Sequence, residues 1–216
     1  MREPYTELKA LIDYLQTVYT KLTEEWKEVS SVNFSMKRTT VADIYTDDVI
    51  YTNIQEYLQF LNSRSAAITF DFSFICRYNV TARVKAKNSI EYKLKNYMTD
   101  KHEHGKIPVN KCLNDLFGVR IFLEDRLEYS EINQFVQETY KGKYRCIDSS
   151  KLEYKATHIY FKENNESFPW ELQIWNKEES KENFESHKRY KQEYTSWEKE
   201  LKEGGINDDK ALYNNE

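Results

Sequence analysis

The chain has 216 residues, a formal net charge of −4, 39% hydrophobic residues and 31% charged residues. That length suits one ordinary domain, or one domain with a helical extension, and the apolar share is low enough that 17 Tyr, 11 Phe and 4 Trp must supply much of the core. The acidic balance excludes a generically basic nucleic-acid-binding protein, so any polyanion must be met by a local patch.

Leu8, Leu11, Ile12, Leu15, Val18, Tyr19, Leu22 and Trp26 keep three-and-four spacing and predict an amphipathic helix over residues 4–30. Ile50, Ile54, Tyr57, Leu58 and Leu61 predict a second helix from Asp47 to Asn62. Thr69 to Cys76 alternates as a strand or a partly ordered loop. Val80 to Val84 is a β-branched strand, and Ser89 is the expected N-cap of a helix ending near Asp100. Lys101 to Pro108 is a polar loop; its two histidines, His102 and His104, suit a solvated loop better than a metal site. Val109 to Leu113 predicts a short helix, Gly118 to Leu123 a strand, and Tyr129 to Tyr140 an amphipathic helix. Tyr144 to Ile147, Ala156 to Phe161 and Trp170 to Trp175 predict strands. A last helix runs from near Glu178 to about Lys202, and Gly204-Gly205 ends it, leaving an acidic tail over 204–216 that is expected to fray. Cys76, Cys112 and Cys146 are far apart with no CxxC spacing, which argues for a reducing compartment and against structural zinc. No run approaches ~18 apolar residues and no signal peptide opens the chain, so a soluble cytoplasmic protein with no membrane partner is expected. Helices followed by strands interleaved with helices predict an α+β fold with a mixed sheet.

The densest chemistry lies in Arg83-Val-Lys85-Ala-Lys87-Asn-Ser89-Ile-Glu-Tyr-Lys93. Arg83, Lys85 and Lys87 differ by two and share a strand face; Ser89 and Lys93 differ by four and share a helix face. With the free N–H groups of a helix start they make a phosphate cradle, or else a solvated basic strand edge. Three further runs follow: Asn114-Asp115-Leu116-Phe117-Gly118-Val119-Arg120-Ile121, Tyr154-Lys155-Ala156-Thr157-His158, and Trp170-Glu171-Leu172-Gln173-Ile174-Trp175. His187, Tyr190 and Lys191 close the series on one helical face.

This series resembles the synthetase domain of the RelA/SpoT family, whose pattern reads R-x-K-x-x-x-S-x-x-x-K, D-L-x-G-x-R-I, G-Y-x-S-x-H, E-x-Q-I-R-T and H-x-x-Y-K. It runs from Arg83 to Lys191, about half the chain, with all five motifs in order. The resemblance implies a nucleotidyltransferase-like sheet of about five strands flanked by helices. It divides the chain into an N-terminal helical extension (1–65), a synthetase domain with its closing helix (66–203) and the tail (204–216). It implies a pyrophosphokinase that moves the β,γ-pyrophosphate of ATP onto a ribose 3′-hydroxyl and releases AMP. Such transfer needs charge neutralisation, alignment and removal of a proton.

By that resemblance Arg83, Lys85, Lys87, Ser89, Lys93 and Arg120 bind ATP; the lesser alternative for Arg120 is an ion pair with Glu124 or Asp125. Asp115 is the Mg²⁺ ligand, and Glu171 assists the metal and is the base toward the acceptor. Tyr154 stacks on the acceptor base, His158 and Gln173 position its ribose or phosphates, and His187 and Lys191 close the site. No hydrolase half is expected, since residues 1–65 are short and hold no histidine.

The departures fall on the acceptor side: Glu153 replaces the glycine, Ala156 the serine, and Trp175-Asn176 the Arg-Thr. Glu153 beside the stacking tyrosine is expected to repel a free guanine nucleotide. The chain is similar to a subgroup of small RelA/SpoT-like toxins of toxin–antitoxin or phage-defence systems. Some of these pyrophosphorylate the 3′ CCA end of tRNA, and others make adenosine alarmones. The preferred acceptor is therefore tRNA, lying on Lys188, Arg189 and Lys191 or on Lys37-Arg38, with GDP, GTP or adenine nucleotides as the alternative and a cognate antitoxin as a possible partner. A catalytically dead RNA- or nucleotide-binding module is a third reading; retention of Arg83, Lys85, Asp115, Tyr154 and Glu171 speaks against it.

Overall fold

In the computed structural model, residues 3–189 are described. The first element, α1 (Glu3–Val29), buries Leu8, Leu11, Ile12, Leu15, Tyr19 and Leu22 along one stripe, as its spacing requires. A short helix follows, α2 (Val41–Thr46), which the apolar periodicity did not reveal. Its signal is the capping box at Thr40 and Asp43: Asp43 donates its backbone N–H to the Thr40 hydroxyl, and Thr40 donates its own N–H to the Asp43 carboxylate.

Asp47 then caps α3 (Asp48–Ile75) by accepting the N–H groups of Val49 and Ile50. The expected strand or loop at Thr69 to Cys76 is the last part of this helix. Ile68 and Phe72, one turn apart, are buried, whereas Phe70 and Phe74 point to solvent with 69% and 74% exposure. The alternating aromatics imitate a strand, but no glycine or proline stands between Asn62 and Ile75 to stop the helix. The expected domain boundary after residue 65 thus falls inside one continuous helix.

Five strands form one mixed sheet in the order β1-β2-β5-β4-β3. They are β1 (Asn79–Val84), β2 (Phe117–Leu123), β3 (Arg145–Asp148), β4 (Thr157–Phe161) and β5 (Trp170–Asn176). Only the β2/β5 pair is parallel. Between β1 and β2 lie α4 (Lys87–Tyr97), a 3₁₀ segment (Asp100–Gly105) and α5 (Val109–Cys112); α6 (Tyr129–Tyr140) precedes β3. After β5 a 3₁₀ turn (Lys177–Glu179) leads into α7, helical over 180–189. The rest of the expected last helix, with Tyr190 and Lys191, lies outside the described residues. His102 stacks on Tyr97 at 4.2 Å and His104 meets Asp100 at 3.2 Å, so the two loop histidines take separate partners.

One sheet face, carrying Val119, Ile121, Ile159, Leu172 and Ile174, is buried with α1, α3 and α6 in a single core. Trp170 ties that core together by donating its indole N–H to the Tyr57 hydroxyl of α3 at 2.9 Å. The opposite face holds a second, small aromatic cluster of Phe122, Ala156 and Trp175 with Tyr154 against it. The polar motif residues share that second face. Among the described residues the three cysteines are free thiols, and no helix is long and apolar enough to cross a membrane.

Candidate active site

Register across the sheet assembles the site. Arg83 of β1 stands opposite Gly118 of β2, Gly118 opposite Glu171 of β5, Glu171 opposite Tyr160 of β4, and Tyr160 opposite Arg145 of β3. Residues paired in this way point to one face, and so do residues two places along each strand. The next row is therefore Thr81, Arg120, Gln173 and His158, and beyond it lies Phe122 beside Trp175. Gly118 has ordinary backbone angles, and a Cβ added there would meet nothing within 4 Å. Its missing side chain leaves an opening between a cation and a carboxylate.

At the β1 end, Lys85 follows the strand and Lys93 comes from α4. Both pair with Asp115, separated from β2 by Leu116: Lys93 Nζ is 3.1 Å from Oδ1 and Lys85 binds Oδ2. Burial works against the Asp115 charge, but the two ammonium groups outweigh it and hold the carboxyl down at about 2. Burial also opposes the charge on Lys93, yet Asp115 raises its pKa; at Lys85 burial prevails and the pKa falls. Arg83 has no ion pair among the described residues.

Two motif residues are placed differently from expectation. Ala86, not Ser89, is the N-cap of α4, and no side chain caps it. The chain leaves the strand after Val84, so Lys87 opens the helix instead of continuing the strand face, and its ammonium lies 3.8 Å from Glu91 at the surface.

Glu171 is buried at 5% exposure and receives three donors. Tyr160 donates its hydroxyl to Oε1 at 2.9 Å, His158 Nδ1 lies 2.7 Å from the same oxygen, and Gln173 donates its amide to Oε2 at 2.7 Å. Burial pushes the Glu171 carboxyl up, but the bonds from His158 and Gln173 win and its pKa is lowered. The charge of Asp115, which lies just ahead of β2, also acts on Glu171 and opposes this lowering. Burial drives the Tyr160 hydroxyl well above its usual range, so it remains a donor.

Tyr154 sits in the hairpin tip between β3 and β4. Lys151 and Tyr154 exchange backbone hydrogen bonds there, and Leu152 between them has a φ of 53° and a fully exposed side chain. The buried Asn183 of α7 fastens the tip by bonding both the N–H and the C=O of Lys155, at 2.7 and 2.8 Å. The Tyr154 hydroxyl lies 2.9 Å from His158 Nε2 and accepts the Trp175 indole N–H at 3.3 Å. Its ring stands edge-on to Trp175, His158 and His187, and burial raises its pKa to about 12.

Arg120 pairs with neither Glu124 nor Asp125. Its Nε and Nη2 donate to Gln173 Oε1 at 3.0 and 2.7 Å, Nη2 approaches His187 Nε2 at 3.4 Å, and its guanidinium lies 3.6 Å from the centre of the Trp175 ring. Burial lowers its pKa to about 10, which leaves it a cation near neutrality.

Of the three departures, Ala156 and Trp175 are one packing unit with Phe122. Glu153 does not stand against the stacking face; it is exposed and ion-paired with Arg189 of α7. That pair also engages one of the three cations expected for tRNA. Lys188 is exposed beside it, and Lys191 lies outside the described residues. Reading single motifs missed Tyr160, Arg145 and Asn183. Strand period could have found the first: Tyr160 is two residues from His158 and so shares its face.

A family model describing the region found in RelA / SpoT proteins matches residues 82–195, just over half the chain. The chain is also similar to three solved structures of small alarmone synthetase 1 from Bacillus subtilis. With the one bound to its product pppGpp it shares 18% identity over 69% of this chain and 83% of that chain, with a TM-score of 0.40. A second structure of that synthetase shares 18% identity over 77% and 98%, TM-score 0.34, and one bound to AMPCPP shares 16% over 72% and 94%, TM-score 0.31. No curated protein matches the chain.

Proposed function

For a chain that belongs to the RelA/SpoT family and is a pyrophosphokinase of that type, we propose that ATP lies across the β1/β2 end of the row and a ribose 3′-hydroxyl meets it at Glu171. The observation that carries this reading is the single row Arg83–Gly118–Glu171, with Lys85, Lys93 and Asp115 clustered at its end. It offers cations, an opening and a carboxylate, in that order, across three neighbouring strands.

The acceptor O3′ attacks the β-phosphorus of ATP, the bond from that phosphorus to the oxygen bridging to the α-phosphate breaks, and AMP leaves with that oxygen. Arg83, Lys85, Lys93 and Arg120 offset the triphosphate charge; Arg as a bidentate fork, Lys as a point charge. The hydroxyl proton goes to Glu171. A carboxylate with a lowered pKa is a weak base, but a loose phosphoryl transition state requires little deprotonation of the nucleophile. What it requires is alignment, and three donors hold Glu171 in place.

The donor set also fits Mg²⁺, which is usually held by one or two carboxylates plus substrate phosphates. Asp115 and Glu171 would hold it, and it would supply further neutralisation of phosphate charge. Lys85 and Lys93 pair with Asp115 in this structure and would turn toward the nucleotide with a cation on that carboxylate.

For the acceptor, the 3′-terminal adenosine of tRNA is the preferred reading. Its support is Tyr154, with His187 edge-on to it, and the exposed Lys188 on α7. That chemistry would make the protein a translation inhibitor, a toxin that needs an antitoxin partner. A second reading, synthesis of alarmones from GDP, GTP or adenine nucleotides, is favoured by the Glu153–Arg189 pair, which leaves less free cation for an RNA backbone. Incubation with γ-labelled ATP and each of GDP, GTP, ATP and bulk tRNA tests both. AMP release with label on tRNA alone supports the first reading, label on free nucleotide alone the second, and no AMP with any acceptor sinks the proposed activity.

A further inference from the structure

Arg120 is unusual among the site cations. Lys85 and Lys93 share a carboxylate and the unpaired Arg83 is exposed, whereas Arg120 is half-buried with no ion pair among the described residues. A desolvated guanidinium with no carboxylate in direct contact, Glu171 lying beyond the Gln173 amide, needs other restraints, or it would swing to solvent or to the nearest acid. Two are present. In its plane, Gln173 Oε1 accepts both Nε and Nη2, while the same amide donates to Glu171 Oε2. Across its plane lies the indole of Trp175, 3.6 Å away and fully buried.

The indole is fixed in turn. Phe122 meets it edge-on at 5.6 Å, Phe184 of α7 meets it edge-on at 5.2 Å, and its N–H is spent on the Tyr154 hydroxyl. Ala156 completes the cluster as its one small member. A side chain bearing a hydroxyl at 156 would bring a polar group against the indole in a cluster otherwise built of rings.

We propose that Trp175 is a positioning residue for the nucleotide-binding cation: its face holds Arg120 flat and free of a direct ion pair toward ATP, with Gln173 setting the rotation and Ala156 admitting the ring. The inference rests on the donor-side reading given above. It assigns two of the three motif departures to presentation of the donor's cation and not to rejection of an acceptor. The physical advantage is specific. A carboxylate partner would hold Arg120 equally firmly but would compete with phosphate for its charge. An aromatic face attracts the guanidinium through its quadrupole and leaves the net charge intact.

The test separates a π face from mere bulk. Binding of a non-transferring ATP analogue, and KM for ATP against kcat, are measured for the wild type, Trp175→Phe, Trp175→Leu, Arg120→Ala and the Trp175→Leu/Arg120→Ala double variant. Thermal melts establish that each is folded. Trp175→Phe keeps a ring and should stay within a few-fold of wild type. Trp175→Leu keeps apolar volume without a quadrupole and should weaken analogue binding by about tenfold, with KM moving more than kcat. In the Arg120→Ala background the Leu change should cost little more, because both act through one group. Equal behaviour of Phe and Leu, or additive losses in the double variant, would overturn the inference and make Trp175 an ordinary packing residue. If the wild type itself fails to bind the analogue, the donor-site reading falls and this inference with it.

Discussion

Tyr160 stands directly opposite Glu171 across the β4/β5 ladder and donates its hydroxyl to Oε1 at 2.9 Å, the oxygen that His158 also reaches. Neither strand places the carboxylate alone: Glu171 is held because the antiparallel register sets a tyrosine beside it and a histidine two residues away on the same face. Tyr160→Phe removes one hydrogen bond to a charged group and almost no volume. Such a bond contributes about 1.5–3 kcal/mol to the folded state, so the melting temperature should fall by several degrees and, with the carboxylate less firmly held, kcat should fall by tenfold or more while KM for ATP changes little. Full activity in steady-state assays of AMP release would show that His158 and Gln173 suffice.

Gly118→Ala separates space from backbone conformation. The backbone there tolerates any residue and a Cβ touches nothing within 4 Å, so the variant should fold with unchanged or slightly higher stability. The methyl group intrudes on the opening between Arg83 and Glu171, and turnover should fall by about tenfold or more because reacting groups tolerate little displacement. A folded variant with wild-type turnover would place the reaction elsewhere.

Asp115→Asn should abolish AMP release and also lower stability, because it leaves Lys85 and Lys93 facing each other without a counter-charge. Glu171→Gln should abolish AMP release as well. Denaturant melts and an AMP assay on the same preparations check both effects; measurable turnover in either variant at normal Mg²⁺ dependence removes the carboxylates from the proposed chemistry.

The Asp115 ion pairs also set an acid limit. The folded carboxyl titrates at about 2, below its ordinary value of 3.8, so the stabilisation is fully present above the unfolded value and is lost as pH falls from about 4 through 2. The shift corresponds to about 2 kcal/mol. Melts from pH 7 to pH 2 should show the gap between wild type and Asp115→Asn constant down to pH 4 and closing below it. A gap that stays constant to pH 2 would mean that Asp115 titrates normally.

Glu153→Gln releases Arg189 from its ion pair. If α7 carries an RNA backbone, labelling of tRNA should rise several-fold and become more salt-sensitive, since each phosphate contact releases counterion, while labelling of free nucleotide stays level. An unchanged tRNA signal would take α7 out of the acceptor path.

Most of the fold was legible along the chain because it rests on local period. The stripe of α1 and the strands at β1, β2, β4 and β5 follow from spacing and from β-branched or aromatic content, and motif order was enough to identify the family and its pyrophosphate transfer. Local rules failed where two periods overlap or where the strand ends earlier than its motif. Phe70, Phe72 and Phe74 alternate like a strand, yet Ile68 and Phe72 belong to a helix; Ser89 looks like an N-cap, yet the turn begins three residues earlier. What only the tertiary structure decided was partnership. Nothing along the chain pairs Asp115 with Lys85 and Lys93, seats Arg120 on Trp175, brings Tyr160 to Glu171 or spends Glu153 on Arg189. Each of those contacts spans a distance in sequence that strand register and the closure of α7 remove. The charge a side chain offers a ligand depends on which neighbour has already claimed it, so site chemistry is a property of the packed sheet and not of the motif string.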